Sequence, residues 1–69
     1  MKIEYDPKRD LLYIWFGSSG EKAARTEAVD AGVHVDFDRD GRLLGLEVLD
    51  ASVVLDQKFS LEFSLTPVA

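Results

Sequence analysis

The 69-residue sequence contains no cysteine. Disulfide staples and thiolate metal sites are therefore excluded, and with one histidine a transition-metal centre would need ligands from another subunit. Positive charge is scarce as well: eight Lys and Arg face thirteen Asp and Glu, for a net charge of −5. No basic stripe stands out and polyanions are repelled, so nucleic acid is not an expected partner. Long apolar runs are also missing. None approaches the roughly 20 residues that span a bilayer. The opening Met1-Lys2-Ile3-Glu4-Tyr5-Asp6 carries charge where a signal peptide needs an apolar core. A cytoplasmic protein with no membrane partner is the expectation.

What is present is a globular composition, 46% hydrophobic, read as a single domain over residues 1–69. A chain of this size buries only about 60% of the surface it exposes when unfolded. Small domains usually compensate with disulfides, a metal or oligomerisation. With the first excluded, a hard-cation site and self-association remain.

The most consistent pattern runs from Val33 to Leu49. Val33, Val35 and Phe37 alternate with His34, Asp36 and Asp38. After Asp38-Arg39-Asp40-Gly41, Leu44, Leu46 and Val48 alternate with Leu43, Gly45 and Glu47. Period-two alternation on both sides of a Gly-containing turn predicts a β-hairpin with one face in a core. Lys2–Asp6 and Leu11–Phe16 form a second hairpin around Pro7, with Leu11–Phe16 apolar throughout and suited to burial on both sides. The two hairpins align at an offset of 32 residues: Ile3, Tyr5 and Asp6 fall on Val35, Phe37 and Asp38, and Leu12, Ile14 and Phe16 on Leu44, Leu46 and Val48. An internal repeat produces this pattern, and so do any two hairpins with equal loops and one buried face. Either way, these apolar positions face inward together.

Gly17–Lys22 lacks the spacing of a phosphate-binding loop and reads as a plain connection. Ala24–Val29 is a weak strand. Asp50-Ala51-Ser52 can cap one helical turn as far as Gln57, and Phe59, Leu61, Phe63 and Leu65 alternate as a final strand ended by Pro67. The predicted fold is mainly β (small β or α+β). It is one antiparallel sheet of five or six short strands made of consecutive hairpins, with at most one short helix.

The residues Tyr5-Asp6, Asp10-x-Leu12-Tyr13-Ile14, Asp36-x-Asp38-x-Asp40-Gly41-Arg42-Leu43 and Gly45-Leu46-Glu47-Val48-Leu49-Asp50-Ala51-Ser52 resemble the short prokaryotic proteins catalogued as domain of unknown function 2283. The resemblance covers roughly Met1 to Ser52. It implies a small β-rich fold and no established activity, ligand or partner. The sequence departs from the family pattern at Trp15, where a polar residue is usual, and in its strand-like tail.

Three constellations carry possible chemistry. Asp36-x-Asp38-x-Asp40-Gly41 with Glu47 matches the calcium-loop template of EF-hands. The preceding segment alternates as a strand, however, and an extended Glu47 lies too far from Asp38 for one coordination sphere. Turn chemistry explains the same residues, with Asp opening and Gly closing a type I turn. His34, Asp36 and Glu47 share the outward face, as a general base or a divalent-cation ligand set would need and as a solvated cross-strand pair also does. No elbow motif surrounds any serine, so no catalytic residue is assigned. Leu11, Tyr13 and Trp15 lie outward on their strand. They are either covered by the C-terminal segment or form a subunit interface together with Phe59, Leu61, Phe63 and Leu65.

The leading expectation is a non-catalytic, self-associating interaction or regulatory module, most simply a homodimer, with no cofactor. The alternatives are a divalent-cation-binding module at Asp36, Asp38 and Asp40, with His34 and Glu47 as further candidates, and, behind it, a small hydrolase-type enzyme.

Overall fold

The computed structural model describes residues 1–55. It contains β1 (Lys2–Asp6), β2 (Leu11–Trp15), β3 (Arg25–Asp30), β4 (Val33–Phe37), β5 (Leu43–Leu49) and α1 (Ala51–Val54). The strands form one antiparallel sheet in the order β1-β2-β5-β4-β3. The predicted mainly β class, strand number and short helix therefore hold. Consecutive hairpins hold for β1–β2, β3–β4 and β4–β5, but β2 pairs with β5 instead of β3. The composition of the strands explains that choice. Leu-Leu-Tyr-Ile-Trp has apolar groups on both faces and gains from a neighbour on each side, whereas Arg-Thr-Glu-Ala-Val-Asp is exposed at every position and suits an edge. The predicted Phe59–Leu65 strand, its interface residues and the extension of the helix to Gln57 lie outside the described residues.

Cross-strand register sorts the side chains into two faces. On one face, Ile3, Ile14, Leu46 and Val35 form a row, and Tyr5, Leu12, Val48 and Val33 form the next. The deepest core is small: Leu12, Leu44, Val48 and Ala51 are buried among the described residues, with Val33 and Leu46 packed against Leu12, Val48 and Ala51. Between Asp36 and Phe37 the β4–β5 register slips, Asp36 lying opposite Gly45 and Phe37 opposite Leu43. Leu44 is the extra residue of this bulge, and its side chain is buried, on the inward side that alternation predicts. Its carbonyl accepts hydrogen bonds from Phe16 N (2.8 Å) and Gly17 N (3.2 Å), which holds the end of β2 against β5.

The turns follow from their aspartates. Asp6 Oδ1 accepts Lys8 N at 2.9 Å and Arg9 N at 3.4 Å. Asp38 Oδ1 accepts Asp40 N and Arg42 N, both at 2.9 Å. Gly41 supplies the left-handed residue, φ 79°, that closes the second turn.

The helix start departs from expectation. Asp50 is the N-cap, but at φ 51° and ψ 47° its side chain makes no cap hydrogen bond. Asp10, far away in sequence, performs that task. Its carboxylate accepts Ser52 N at 3.0 Å, Ser52 Oγ at 2.6 Å and Tyr5 OH at 2.7 Å, and its backbone oxygen accepts Ala51 N at 2.9 Å. The Ser52 and Tyr5 hydroxyls hold the Asp10 carboxyl below its ordinary value of 3.8. A depressed carboxylate contributes stability that is present above its unfolded value and is lost as pH falls through the folded one. Thermal melts between about pH 5 and pH 2 are expected to show a smaller acid loss for Asp10→Asn than for the wild type. Equal slopes would mean that Asp10 does not anchor the helix.

Candidate functional site

The opposite face of the sheet carries the polar residues that alternation places outward. Register brings Glu4, Tyr13, Glu47, His34 and Ala28 into one row across five strands, and Lys2, Trp15, Gly45, Asp36 and Thr26 into the next. Gly45 creates the central feature. A Cβ there would overlap the Tyr13 ring, so its absence lets the phenol lie across β5 and reach β4. Tyr13 OH donates to Asp36 Oδ2 at 2.5 Å, and Thr26 Oγ1 on β3 donates to Asp36 Oδ1 at 2.5 Å. One carboxylate thus ties β2, β3 and β4 together across β5. Beside it, the Tyr13 and Trp15 rings lie 4.3 Å apart, tilted by 48°, and Trp15 Nε1 donates to Glu4 Oε1 at 2.6 Å. A shallow cleft opens against β1, lined by Glu4, Tyr5, Asp6, Leu11, Tyr13 and Trp15.

His34 lies directly opposite Glu47, as hairpin parity predicts. The face is not freely solvated there, because both side chains are about one-third exposed; His34 Nδ1 is 3.7 Å from Glu47 Oε1 and has no hydrogen-bond partner among the described residues. Asp36 shares this face but is occupied by Tyr13 and Thr26. Asp38 and Asp40 leave the face for the turn, where Asp38 is spent on backbone N–H groups. Asp36, Asp38, Asp40, Glu47 and His34 are thus not gathered at one point. Among the described residues, no group of three or more His, Asp or Glu side chains is placed to hold a metal ion. No described helix is long and apolar enough to cross a membrane.

The electrostatics follow from the same contacts. Partial burial, followed by the Asp36 hydrogen bond and the charges of Asp36 and Glu47, raises the Tyr13 phenol far above its ordinary range. Tyr13 therefore keeps its proton and acts as a donor. The corresponding stability is whole below the ordinary phenol value near 10 and is lost as pH rises above it toward the raised folded value. Denaturation between about pH 9 and pH 12 should accordingly be steeper in pH for the wild type than for Tyr13→Phe. At neutral pH the same substitution should cost about 1 kcal/mol. A flat alkaline limb in the wild type would contradict the assignment.

Leu11, Tyr13 and Trp15 do share the outward face, as expected from alternation, but Tyr13 and Trp15 are half-buried and direct their polar atoms at carboxylates. The strip is apolar in its rings and polar along its margins. Sequence reading did not find Thr26, Glu4, Asp10 or Ser52, each of which has a partner 10 or more residues away. Gly45 did leave a signal: a glycine inside a strand marks a close approach.

Residues 2–52 match the family described as protein of unknown function (DUF2283). The chain belongs to this family. The resemblance drawn from its motifs is thereby shown. A relative, an uncharacterized protein of Methanocaldococcus jannaschii, is 36% identical over 52 residues, covering 75% of this chain and 42% of that protein. The match therefore spans less than half the length of the relative. No solved structure matches the chain.

Proposed function

We propose that this DUF2283 member is a non-catalytic interaction module that self-associates, most simply as a twofold dimer, through its β1–β2 side. The supporting observation is the contrast between the two edges of the sheet. At the β3 edge the exposed surface is Arg25, Thr26, Glu27, Ala28, Val29 and Asp30. At the β1 side, Ile3 and Tyr5 on one face are 39% and 42% exposed, and Phe16 beyond β2 is 42% exposed. The Leu11, Tyr13 and Trp15 strip lies on the other face of the same two strands.

Physical considerations favour an occupant here. A sheet with one apolar face needs a second layer or a partner, and among the described residues α1 buries only Ala51, in a cluster with Leu12 and Val48. Large apolar groups clustered at one edge are what oligomers cover and monomers avoid. Tyr and Trp are, moreover, among the residues that most often anchor such contacts.

Sedimentation equilibrium at micromolar concentration tests the proposal. The expected mass is twice that of the 7.7 kDa chain, and Trp15→Lys should weaken the dimer about tenfold or more. A single 7.7 kDa species would overturn self-association. A dimer indifferent to Trp15→Lys would move the contact away from the β1–β2 side.

A further inference from the structure

Four of the five strands obey a symmetry that the 32-residue repeat anticipates. Moving the β1–β2 pairs forward by that offset (35 less 3, 46 less 14) turns Ile3↔Ile14 into Val35↔Leu46 and Glu4↔Tyr13 into Asp36↔Gly45. Both are observed pairs of β4 and β5. Where the hairpins meet, Ile14 lies opposite Leu46, its own counterpart, while Tyr13 lies opposite Glu47 and Trp15 opposite Gly45. The two hairpins are therefore related by a local twofold through the Ile14–Leu46 pair.

The symmetry is interrupted at the β5 bulge, where Phe37 pairs with Leu43 instead of Leu44, and it ends at the outer strands. The outer side of β4 carries β3, with Thr26 opposite Asp36, Glu27 opposite Val35 and Ala28 opposite His34. The equivalent outer side of β1, at Glu4, Ile3 and Lys2, has no strand among the described residues. β1 thus has the pairing geometry of an edge that is filled in its own repeat.

We infer that the β1 edge is a strand-pairing site whose occupant is β1 of a second copy, running antiparallel about a twofold axis at Ile3. This rests on the self-association proposed above and specifies its register. With Ile3 on the axis, Lys2 lies opposite the partner's Glu4, and Glu4 opposite the partner's Lys2. Ile3 faces the partner's Ile3. Opposite charges and like apolar groups placed directly across a sheet are favourable, whereas like charges are not. The neighbouring register, centred on Glu4, places two Glu4 carboxylates face to face. The β3 edge is a poorer site. Its ladder with β4 shifts register between Ala28 and Asp30, and such a bulge is a common means of protecting an edge. The β1–β2 ladder, by contrast, is unbroken from Lys2 to Asp6. The resulting sheet is continuous across the dimer and carries the Ile3 and Tyr5 surface of both copies into one apolar face.

Charge reversal tests the register. Lys2→Glu alone and Glu4→Lys alone each set like charges opposite one another at both contacts, and each should raise the dimer dissociation constant about tenfold or more. An equimolar mixture of the two variants restores opposite charges at both contacts, so it should form heterodimers with nearly wild-type affinity. Hydrogen exchange of the wild-type β1 amides supplies a readout independent of any variant, with protection expected to rise with protein concentration across the dissociation constant. A wild-type dimer that tolerates both substitutions, a mixture that remains monomeric, or β1 protection independent of concentration would overturn the edge pairing while leaving self-association intact. The last of these results would fit a strand from elsewhere in the chain. A wild-type monomer would remove both readings.

Discussion

Leu44→Ala is expected to destabilise the fold by about 2–5 kcal/mol, the range for truncating a large buried aliphatic side chain. Leu44 is the largest fully buried side chain among the described residues, 2% exposed. It occupies the β5 bulge, and its carbonyl holds the end of β2. A domain of this size has stability of only roughly 3–5 kcal/mol to lose. Much of the variant should therefore be unfolded at 25 °C, as urea denaturation followed by Trp15 fluorescence would show. Leu43→Ala is the internal control. Leu43 precedes Leu44 but is 54% exposed, so its truncation should stay within about 0.5 kcal/mol. Equal losses from the two leucines would mean that the bulge is misplaced.

The second large effect is expected at Gly45, with a sign opposite to strand propensity. Glycine weakens a strand interior, and by propensity alone valine would strengthen β5 by as much as about 1 kcal/mol. Here the new side chain would occupy the volume of the Tyr13 ring. Overpacking costs about 1–3 kcal/mol, and displacing the phenol withdraws a donor from Asp36 at about 1 kcal/mol more. A net loss of about 2–4 kcal/mol follows for Gly45→Val. The cause can be isolated with a double-mutant cycle. Once Tyr13→Ala has removed the ring, Gly45→Val should cost far less, leaving a coupling of more than about 1 kcal/mol. Additive losses would show that Gly45 is needed for its backbone and not for Tyr13.

The candidate site was legible in part. Outward parity for His34, Asp36 and Glu47 followed from alternation alone, and so did the placement of Leu11, Tyr13 and Trp15 on the same face. The bonds among these residues did not. Tyr13 meets Asp36 only because β2 and β4 flank β5, and Thr26 reaches Asp36 only because β3 pairs with β4 in one register. The calcium-like spacing of Asp36, Asp38 and Asp40 is a case where sequence distance misleads. Positions two apart share a face only while the strand lasts; β4 ends at Phe37, and the turn consumes Asp38 on its own amide groups.

What the sequence by itself determined was everything that depends on neighbours along the chain. Period-two alternation sets which side chains share a face, Asp6 and Asp38 with Gly41 set the turns, and the motif run from Tyr5 to Ser52 sets the family. Tertiary structure alone decided the partner of β2, the bulge at Leu44, the capping of α1 by Asp10 and the approach of Tyr13 to Gly45. Local patterns specify a strand's faces but leave its lateral neighbours open, because any two antiparallel strands can satisfy each other's backbone hydrogen bonds. The choice among them falls to the packing of whole faces, and that depends on residues 30 or more positions apart, such as Leu12 and Val48.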